Sequence, residues 1–493
     1  MEIFQFDFLS LFSISNITAI VIGIVAGLII GALPGLGSVI AVVLLLPFTY
    51  SMSPIAAILM LLATYQAAEY GGSISSIILG VPGTPAAAAT LIDGNALAKK
   101  GHPGKALGFS LIASTIGGFI GGVVLLLLAV PLSALALKLS SPEYFLIATL
   151  GLLCIGGLST QDKTKSYISV VLGLIVGTVG MDMFTGKPRF TFGQVDLLEG
   201  IPMVTLMVGI FAITEIFIMI ELGVQHKYSL DSKGIKTKIS FKEFKETIKA
   251  TIMGSGIGSV IGIIPGMGAG VASWVSYSSA KGSSKNKKEF GKGNPEGISA
   301  PESSNNASVG GSLLPLLTLG LPGSPTIAVV MGGFIIHGIQ PGPKLLESES
   351  TLVYSVLYGF LITTLVMFLI GKLVTPLFSR VLVVPNNYLI PAVLMLSIIG
   401  VYASEKSLFQ VWIAIAIGIF FYILRKLKFS LPSFILAFVL GPIIEENLRR
   451  TLLVSDGSYL IFIQRPFSIG LLIVMLGITS FLLLKRRKVG QAA

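Results

Sequence analysis

The sequence predicts an all-α polytopic membrane protein. We expect two inverted-topology repeats with broken or re-entrant helices, and about 10 to 12 membrane-spanning segments plus hairpins. Three observations predict this fold: an apolar composition, basic residues gathered in short clusters, and Gly-Pro motifs that occur twice in the same order. The 493 residues are 53% hydrophobic and 12% charged, whereas soluble globular domains carry about 25% charged residues. So few charges cannot cover a water-exposed surface, so the predicted environment is a lipid bilayer.

The basic residues mark one side of that bilayer. No Lys or Arg precedes Lys99, and the later ones cluster at residues 99–105, 227–249, 281–292, 425–428 and 485–488. Short basic loops face the cytoplasm in membrane proteins. Counting from an N-terminus outside the cell, the alternation of sides places the basic C-terminal cluster in the cytoplasm. The net charge of +11 therefore indicates topology, and no nucleic-acid partner is predicted.

The chain has few residues of the types that catalyse reactions or bind metals. It contains three histidines and one cysteine, Cys154, too few for a disulfide framework, a metal cluster or a Cys/His nucleophile pair. The sequence also has no phosphate-binding Gly-x-x-x-x-Gly-Lys-Ser/Thr motif. We therefore predict no catalytic residue, no metal and no cofactor. An intramembrane enzyme that uses a Ser/Lys pair remains an alternative.

Residues 250–280 are the most informative apolar segment. The lysines on both flanks, Lys249 and Lys281, belong to the cytoplasm, so the segment enters and leaves the membrane on one face. Pro265, Gly266 and Gly268 interrupt it. Two half-helices of roughly 22 Å each form a re-entrant hairpin more readily than two full crossings. Backbone opened inside a membrane must be buried in protein or line a wet cavity, which makes the break a candidate site.

Internal repeats predict a duplication. Residues 31–37 match 262–268 at an offset of 231 (262 minus 31), residues 71–73 match 310–312 at 239 (310 minus 71), and residues 79–85 match 319–325 at 240 (319 minus 79). The lysine-rich loop at 281–292 accounts for the extra residues. The predicted organisation is a first repeat over 1–226, a cytoplasmic basic linker over 227–249, and a second repeat with an extra C-terminal helix over 250–493.

Charge predicts that the two halves face opposite ways. The first-half counterpart of the basic loop 281–292 is the uncharged stretch 49–54, and the counterpart of the basic stretch 99–105 is the acidic-leaning 341–350. Equivalent loops therefore lie on opposite sides of the membrane. Inverted repeats place their substrate near the midplane, often at broken helices.

The breaks predict a binding site for an anion. A helix N-terminus carries about half a positive charge and attracts carboxylate or phosphate. No Lys or Arg falls within the motifs, so neutral donors and backbone dipoles would hold the anion. The candidate substrate-binding residues are Gly35, Gly37, Ser73, Gly83, Thr84, Gly266, Gly268, Ser303, Ser304, Asn305, Asn306, Gly323 and Ser324. The alternative is structural: Pro and Gly kink and pack membrane helices, and Ser or Thr bonds its own helix.

Three acids are candidates for ion coupling. Glu69, Asp93 and Glu302 lie in or beside predicted intramembrane segments, where an ionisable group indicates function. The coupling ion would be H⁺ or Na⁺. The alternative is that such an acid is a cap or loop residue at the membrane edge. For Asp93 this alternative is favoured, because Gly94 and Asn95 follow it.

On these motifs the sequence resembles the large membrane subunit of the tripartite tricarboxylate transporters, the TctA-like family. The resemblance rests on residues 31–37, 70–87, 93–94, 262–268, 295–297, 300–307 and 320–325. It implies a permease for carboxylates in the cytoplasmic membrane of a bacterium or archaeon. It further implies a small membrane subunit and an extracytoplasmic solute-binding protein as partners, with an ion gradient as the driving force. A passive anion channel is the alternative from another class, because it could use the same broken helices.

Overall fold

Helices form nearly all of the described chain. The computed structural model describes residues 7–158, 162–222, 237–375 and 386–490. The chain forms two compact units, one from Met1–Val130 with Met203–Tyr422 and one from Pro131–Pro202 with Ile423–Ala493.

The first ten helices are α1 Ile14–Ala32, α2 Gly37–Leu45, α3 Pro54–Leu79, α4 Ala87–Lys99, α5 Pro103–Ala136, α6 Ser141–Leu158, α7 Lys163–Gly177, α8 Met203–Met207, α9 Thr214–Leu222 and α10 Phe241–Ile263. The later ones are α11 Gly268–Ser283, α12 Pro295–Leu319, α13 Pro325–Ile336, α14 Leu345–Ser348, α15 Ser350–Val374, α16 Asn386–Glu405, α17 Leu408–Lys426, α18 Leu431–Val454, α19 Ile461–Gln464 and α20 Pro466–Gly490. A π-helical segment, Val208–Ile213, joins α8 to α9. Two short antiparallel strands, β1 Gly180–Met181 and β2 Pro188–Arg189, pair with each other.

Seven helices within the described ranges are long and apolar enough to cross a membrane. They are Ile14–Ala32, Pro103–Ala136, Met203–Glu221, Ser350–Val374, Tyr388–Glu405, Leu408–Lys426 and Leu431–Val454. The chain is therefore a helical, multi-pass membrane protein. Helices α3 and α12 are long but absent from this set, because each carries buried polar residues along its length. The count of about 10 to 12 spanning segments stays a prediction.

Glycines at every fourth position bring two pairs of helices into close contact. A Cβ atom at Gly23 or Gly31 would lie 2.4 or 2.3 Å from a main-chain oxygen of α3, and one at Gly254 or Gly258 would lie 2.3 or 2.1 Å from one of α12. Small residues let membrane helices approach at their backbones. Glycine is therefore required along these faces of α1 and α10.

The contacts advance in the same direction along both partners. Gly23 meets Met60 and Gly31 meets Ala68, so α1 and α3 run parallel, and α10 and α12 do likewise. A parallel pair needs a segment that returns the chain, which α2 and α11 supply. The interruption between α10 and α11, at 264–267, lies at the position on which the hairpin prediction rests.

Helices α3 and α12 cross in opposite directions. Glu69 of α3 contacts Asn305, and Ser73, further along α3, contacts Glu302, which comes earlier on α12. The order α1, α2, α3, α4 in the first half and α10, α11, α12, α13 in the second is the same. Corresponding helices in the two stretches thus have antiparallel directions at this crossing.

Helix α10 begins inside the segment predicted as a linker. Residues 227–236 lie outside the described residues, but Phe241–Lys249 forms the first turns of α10. Ser240 and Glu243 form a capping box that starts the helix, and Lys105 bonds Glu243 at 2.6 Å. The Ser-x-x-Glu pattern is a local start signal within what composition alone predicts as a basic linker.

We expect Glu243→Ala to loosen the start of α10. The hydrogen bond from Lys105 and those from Ser240 lower the pKa of Glu243 to about 2. A lowered carboxyl pKa stabilises the folded state above the unfolded value of about 4.3, and the effect is lost as pH falls toward 2. Loss of such a cap costs about 1 kcal/mol. Protection factors for hydrogen exchange at 241–245 should therefore fall in the variant and, in the wild type, below pH 4. Glu246→Ala, at an exposed position on the same helix, is the control, and equal exchange in the two variants would contradict the role of the cap.

The second unit is held by ion pairs as well as by apolar packing. Arg449 of α18 bonds both Asp182 and Glu445, and Arg189 of β2 bonds the same Glu445. These contacts fix the short β1–β2 hairpin against the end of α18.

Candidate functional site

Two of the breaks share one backbone conformation. Between α1 and α2, Gly35 and Gly37 have φ of +91° and +70°, and between α10 and α11, Gly266 and Gly268 have +84° and +58°. Only glycine adopts positive φ without strain. The Pro-Gly-x-Gly motifs therefore end one half-helix and begin the next.

The break between α3 and α4 and the break between α12 and α13 are closed by equivalent main-chain hydrogen bonds. The N–H of Gly83 donates to Gly72 O at 3.1 Å, and the N–H of Gly323 donates to Ser312 O at 3.2 Å. The structural equivalence is therefore an offset of 240 (312 minus 72). The predicted match of 71–73 to 310–312 has an offset one residue smaller, at 239 (310 minus 71), and it stays a prediction. Each break folds back against the helix that precedes it.

Two of the breaks place a side chain beside one buried carboxyl, Glu69 of α3, and the other two breaks contact each other. Ser38, the second residue of α2, donates to Glu69 Oε1 at 2.6 Å and lies 3.4 Å from Thr326 of α13. Thr84, within the break between α3 and α4, has its side chain beside the same carboxyl. The main chain of Gly266 donates to the carbonyl of Gly323 at 3.0 Å. Residues far apart in the sequence thus meet at a single site.

Asn305 and Tyr65 complete this cluster. The Asn305 amide lies beside the Glu69 carboxyl, and its Nδ2 donates to Glu69 O at 3.5 Å. The Tyr65 hydroxyl lies 3.3 Å from Ser324 Oγ. Glu69, Asn305, Tyr65 and Ser324 are all buried, so the site is closed to solvent in this conformation.

Several buried oxygens of α3 and α12 have no hydrogen-bond partner. Within the described residues these include Glu69 Oε2, Asn305 Oδ1, Asn306 Oδ1 and Ser304 Oγ. Buried polar atoms are nearly always paired, so each exception calls for an explanation.

Glu302 has a different environment, although it is equally buried. Ser73 of α3 and Thr90 of α4 donate to its Oε1, and Ser110 and Ser114 of α5 each donate to its Oε2 at 2.9 Å. Four hydroxyls from three helices therefore satisfy one carboxylate. Ser73, predicted to bind substrate, is engaged here.

Asp93 holds the end of the lysine-rich loop. Its Oδ1 accepts the main-chain N–H groups of Gly291, Gly293 and Asn294 at 2.8 to 2.9 Å, and its Oδ2 accepts the Tyr277 hydroxyl at 2.9 Å. This carboxylate therefore accepts hydrogen bonds from four donors. The contacts are those of an acid that anchors a loop.

Residues 303–306 contact different neighbours. Ser303 bonds Ala300 O of its own helix, and Ser304 lies where α12 meets Gly258 of α10. Asn306 Nδ2 donates to Glu302 O at 3.3 Å. Among these four residues, Asn305 is the one with a hydrogen bond to Glu69. Thr84, Asn305 and Ser324 therefore meet at the breaks, while Ser73 and Ser303 point to other partners.

Sequence reasoning missed Ser38 and Tyr65 at this site. Ser38 directly follows Gly37, so its place after a break was a usable signal. Tyr65 lies inside α3 with no local mark. Glu215 of α9 was also missed, and it approaches Gly35, where an added Cβ would lie 3.1 Å from Glu215 Oε1.

Comparisons with known proteins assign the chain to a family. Residues 17–436 match the model of the tripartite tricarboxylate transporter TctA family. The chain is 37% identical over 475 residues, 95% of its length and 93% of the relative's, to an "uncharacterized 52.8 kDa protein in TAR-I ttuC' 3'region" of Agrobacterium vitis. An "uncharacterized protein in TAR-II ttuC' 3'region" of the same organism is 37% identical over 221 residues, 44% of this chain and 91% of that protein. No solved structure matches the chain. Because the family model covers most of its residues, the chain belongs to the tripartite tricarboxylate transporter TctA family.

Proposed function

We propose that this chain is the membrane permease subunit of a binding-protein-dependent secondary transporter. It takes up tricarboxylates or related carboxylates, and a gradient of H⁺ or Na⁺ drives the uptake. Its partners are a small membrane subunit and an extracytoplasmic solute-binding protein. The buried cluster that Ser38, Thr84 and Asn305 form around Glu69 is the observation that carries the proposal, and membership of a transporter family supports it.

The breaks supply the chemistry for an anion. Helices α2, α4, α11 and α13 each begin at a break, so their N-terminal N–H groups and partial positive charges are available to a carboxylate. Thr84, Asn305 and Ser324 add neutral donors. Many weak contacts of this kind let a solute leave as well as enter. The buried state of these side chains corresponds to a closed step of the transport cycle.

The two halves act as inverted repeats in this proposal. The antiparallel crossing of α3 and α12 supports it, as do the equal element order and the recurring glycines 231 residues apart (254 minus 23). The N-terminus lies outside and the basic C-terminus in the cytoplasm of a bacterial or archaeal cell. Such repeats alternate access around a site at the membrane midplane.

Uptake into proteoliposomes tests the proposal. The complete complex is reconstituted with its small subunit and supplied with its binding protein and labelled mono-, di- and tricarboxylates. We expect at least one carboxylate to accumulate, and accumulation to stop when the ion gradients are collapsed. Flux that continues down the substrate gradient at an unchanged rate indicates a channel instead.

Two substitutions test the site itself. Thr84→Val and Asn305→Ala should each lower uptake by about ten-fold, the equivalent of about 1.4 kcal/mol of lost binding, while membrane insertion stays normal. Thr115→Val is the matched control, because Thr115 bonds Leu111 O of its own helix at 2.8 Å and lies away from the breaks. Unchanged uptake in both site variants contradicts the assignment.

A further inference from the structure

We propose that Glu69 is the proton-binding group of this transporter, and that it takes up one proton for each carboxylate bound. The inference rests on the proposed function and makes it more specific. It selects one acid from three candidates and one ion from two.

The hydrogen-bond partners separate Glu69 from the other two acids. Glu302 and Asp93 each accept four hydrogen bonds, which occupy both oxygens of each carboxylate. Glu69 accepts one within hydrogen-bond distance, from Ser38 to Oε1 at 2.6 Å, while Thr84 and Asn305 lie nearby and Oε2 has no partner. Its side chain is only 3% exposed. A buried charge without enough partners is strongly unfavourable, and such a group takes up a proton instead.

No positively charged side chain of the described residues neutralises the charge of an ionised Glu69. Within the described chain, no Lys or Arg bonds or pairs with Glu69. The ionisable side chain on another helix that acts on it through space is Glu302, an acid. A second negative group nearby also favours the neutral form of Glu69.

The helices around α3 carry few other ionisable groups. Helices α1, α2 and α13 contain none. The remainder are Tyr65 and Tyr70 on α3 itself, Tyr50 before it, Asp93 and Lys99 on α4, Glu296 and Glu302 on α12, and Tyr354, Tyr358 and Lys372 on α15. Glu215 of α9 lies beyond Gly35. None of the lysines is placed against the carboxyl, so a proton is the available source of neutrality.

The geometry favours a proton over a sodium ion. A hard cation needs a shell of several oxygen ligands. Around Glu69, Ser38 presents its hydroxyl hydrogen to the carboxyl, and Asn305 directs Nδ2 at the Glu69 main chain. A proton on Oε2 removes the charge and turns an unpaired acceptor into a donor. Asn305 Oδ1, a buried acceptor without a partner, is suited to receive it.

Coupling follows from where Glu69 lies. The N-termini and neutral donors that would hold a carboxylate surround this side chain, and an ionised Glu69 would repel that carboxylate at short range. Proton uptake from the external solution converts the carboxylate of Glu69 to a carboxylic acid and removes the repulsion. Release of the proton to the cytoplasm restores the charge and expels the substrate.

Infrared spectroscopy tests the proton site independently of transport. The purified full chain with its small subunit is titrated with acid in lipid, and the carbonyl band of protonated carboxyl groups is followed. We expect Glu69→Gln to remove one titrating band and Glu302→Gln to retain it. Glu69→Asp, which keeps a carboxyl, should shift the band, and this variant serves if the glutamine variant does not fold. A full band in folded Glu69→Gln overturns the proposal.

Transport measurements test the coupling. The wild type should accumulate a carboxylate under an imposed pH gradient without sodium, and Glu69→Gln should lose this accumulation while retaining reduced substrate counterflow. Accumulation driven by sodium alone overturns the choice of ion. If the wild type moves no carboxylate but the band is lost in Glu69→Gln, the proton site stands and the proposed function fails. If uptake is proton-driven and unaltered in the variant, the assignment to Glu69 fails and the function stands.

Discussion

Replacing Gly258 with leucine should prevent the close packing of α10 on α12, whereas Gly256→Leu on the same helix should be tolerated. A Cβ atom at Gly258 would lie 2.1 Å from Ser304 O, and one at Gly256 meets nothing within 4 Å. Overpacking of a core typically costs 1–3 kcal/mol. The cost here should reach or exceed about 3 kcal/mol, because the obstructing atom is main chain and cannot turn aside.

The measurement is the fraction of monodisperse protein and its melting temperature in detergent. The Gly258 variant should yield little or no folded protein, and the Gly256 variant should behave like the wild type. Gly258→Ala gives a milder test, because alanine places only the Cβ atom at this contact. Equal melting of the Gly256 and Gly258 alanine variants would show that the two helices can separate freely.

Glu302→Ala should lower the stability of the folded protein, with an effect second to that of Gly258→Leu. It removes the acceptor of four hydroxyls and leaves a cavity where α3, α4, α5 and α12 meet. Side-chain hydrogen bonds between membrane helices average about 0.6 kcal/mol each, so the four together are worth roughly 2 kcal/mol, and the cavity adds to the loss. Serine hydroxyls can turn to carbonyls of their own helix, which limits the total to about 2–4 kcal/mol.

Glu302→Gln is the control for shape. It keeps the volume and one acceptor oxygen, so its loss of stability should be less than half that of the alanine variant. Thermal melting of the purified protein in lipid nanodiscs measures both. A melting temperature for Glu302→Ala equal to that of the wild type would show that the hydroxyls find equivalent partners elsewhere.

The helix breaks could be predicted from sequence because their signals are local. Pro followed directly by Gly disfavours helix continuation, so Pro34, Pro82, Pro265 and Pro322 mark the breaks. Prolines without a following Gly, such as Pro301 and Pro315, lie inside the continuous helix α12. The family resemblance, confirmed by the family match, depends on the same motifs. Composition likewise sufficed to indicate a helical membrane protein.

The partners of each acid could not be predicted in the same way. The hydroxyls that surround Glu302 come from residues 73, 90, 110 and 114, and nothing in their local sequence relates them to residue 302. Their meeting depends on how α3, α4 and α5 pack against α12. The same packing decides that Ser73 faces Glu302 and that Ser38 faces Glu69. Residue type names the three candidate acids, but three-dimensional packing determines which of them is left with an unpaired oxygen.

The glycines that press on α12 from two sides limit how the protein can change shape. Besides α10, helix α5 touches α12 closely, since a Cβ at Gly117 or Gly121 would lie 2.0 or 2.5 Å from a main-chain oxygen of α12. Sliding at either contact would drive a side chain into a backbone. We therefore expect these three segments to move together as a rigid body if the protein opens and closes. We expect the shear to fall on the polar face between α12 and α3, where contacts made by hydroxyls, amides and carboxyls can be exchanged without moving the helices apart.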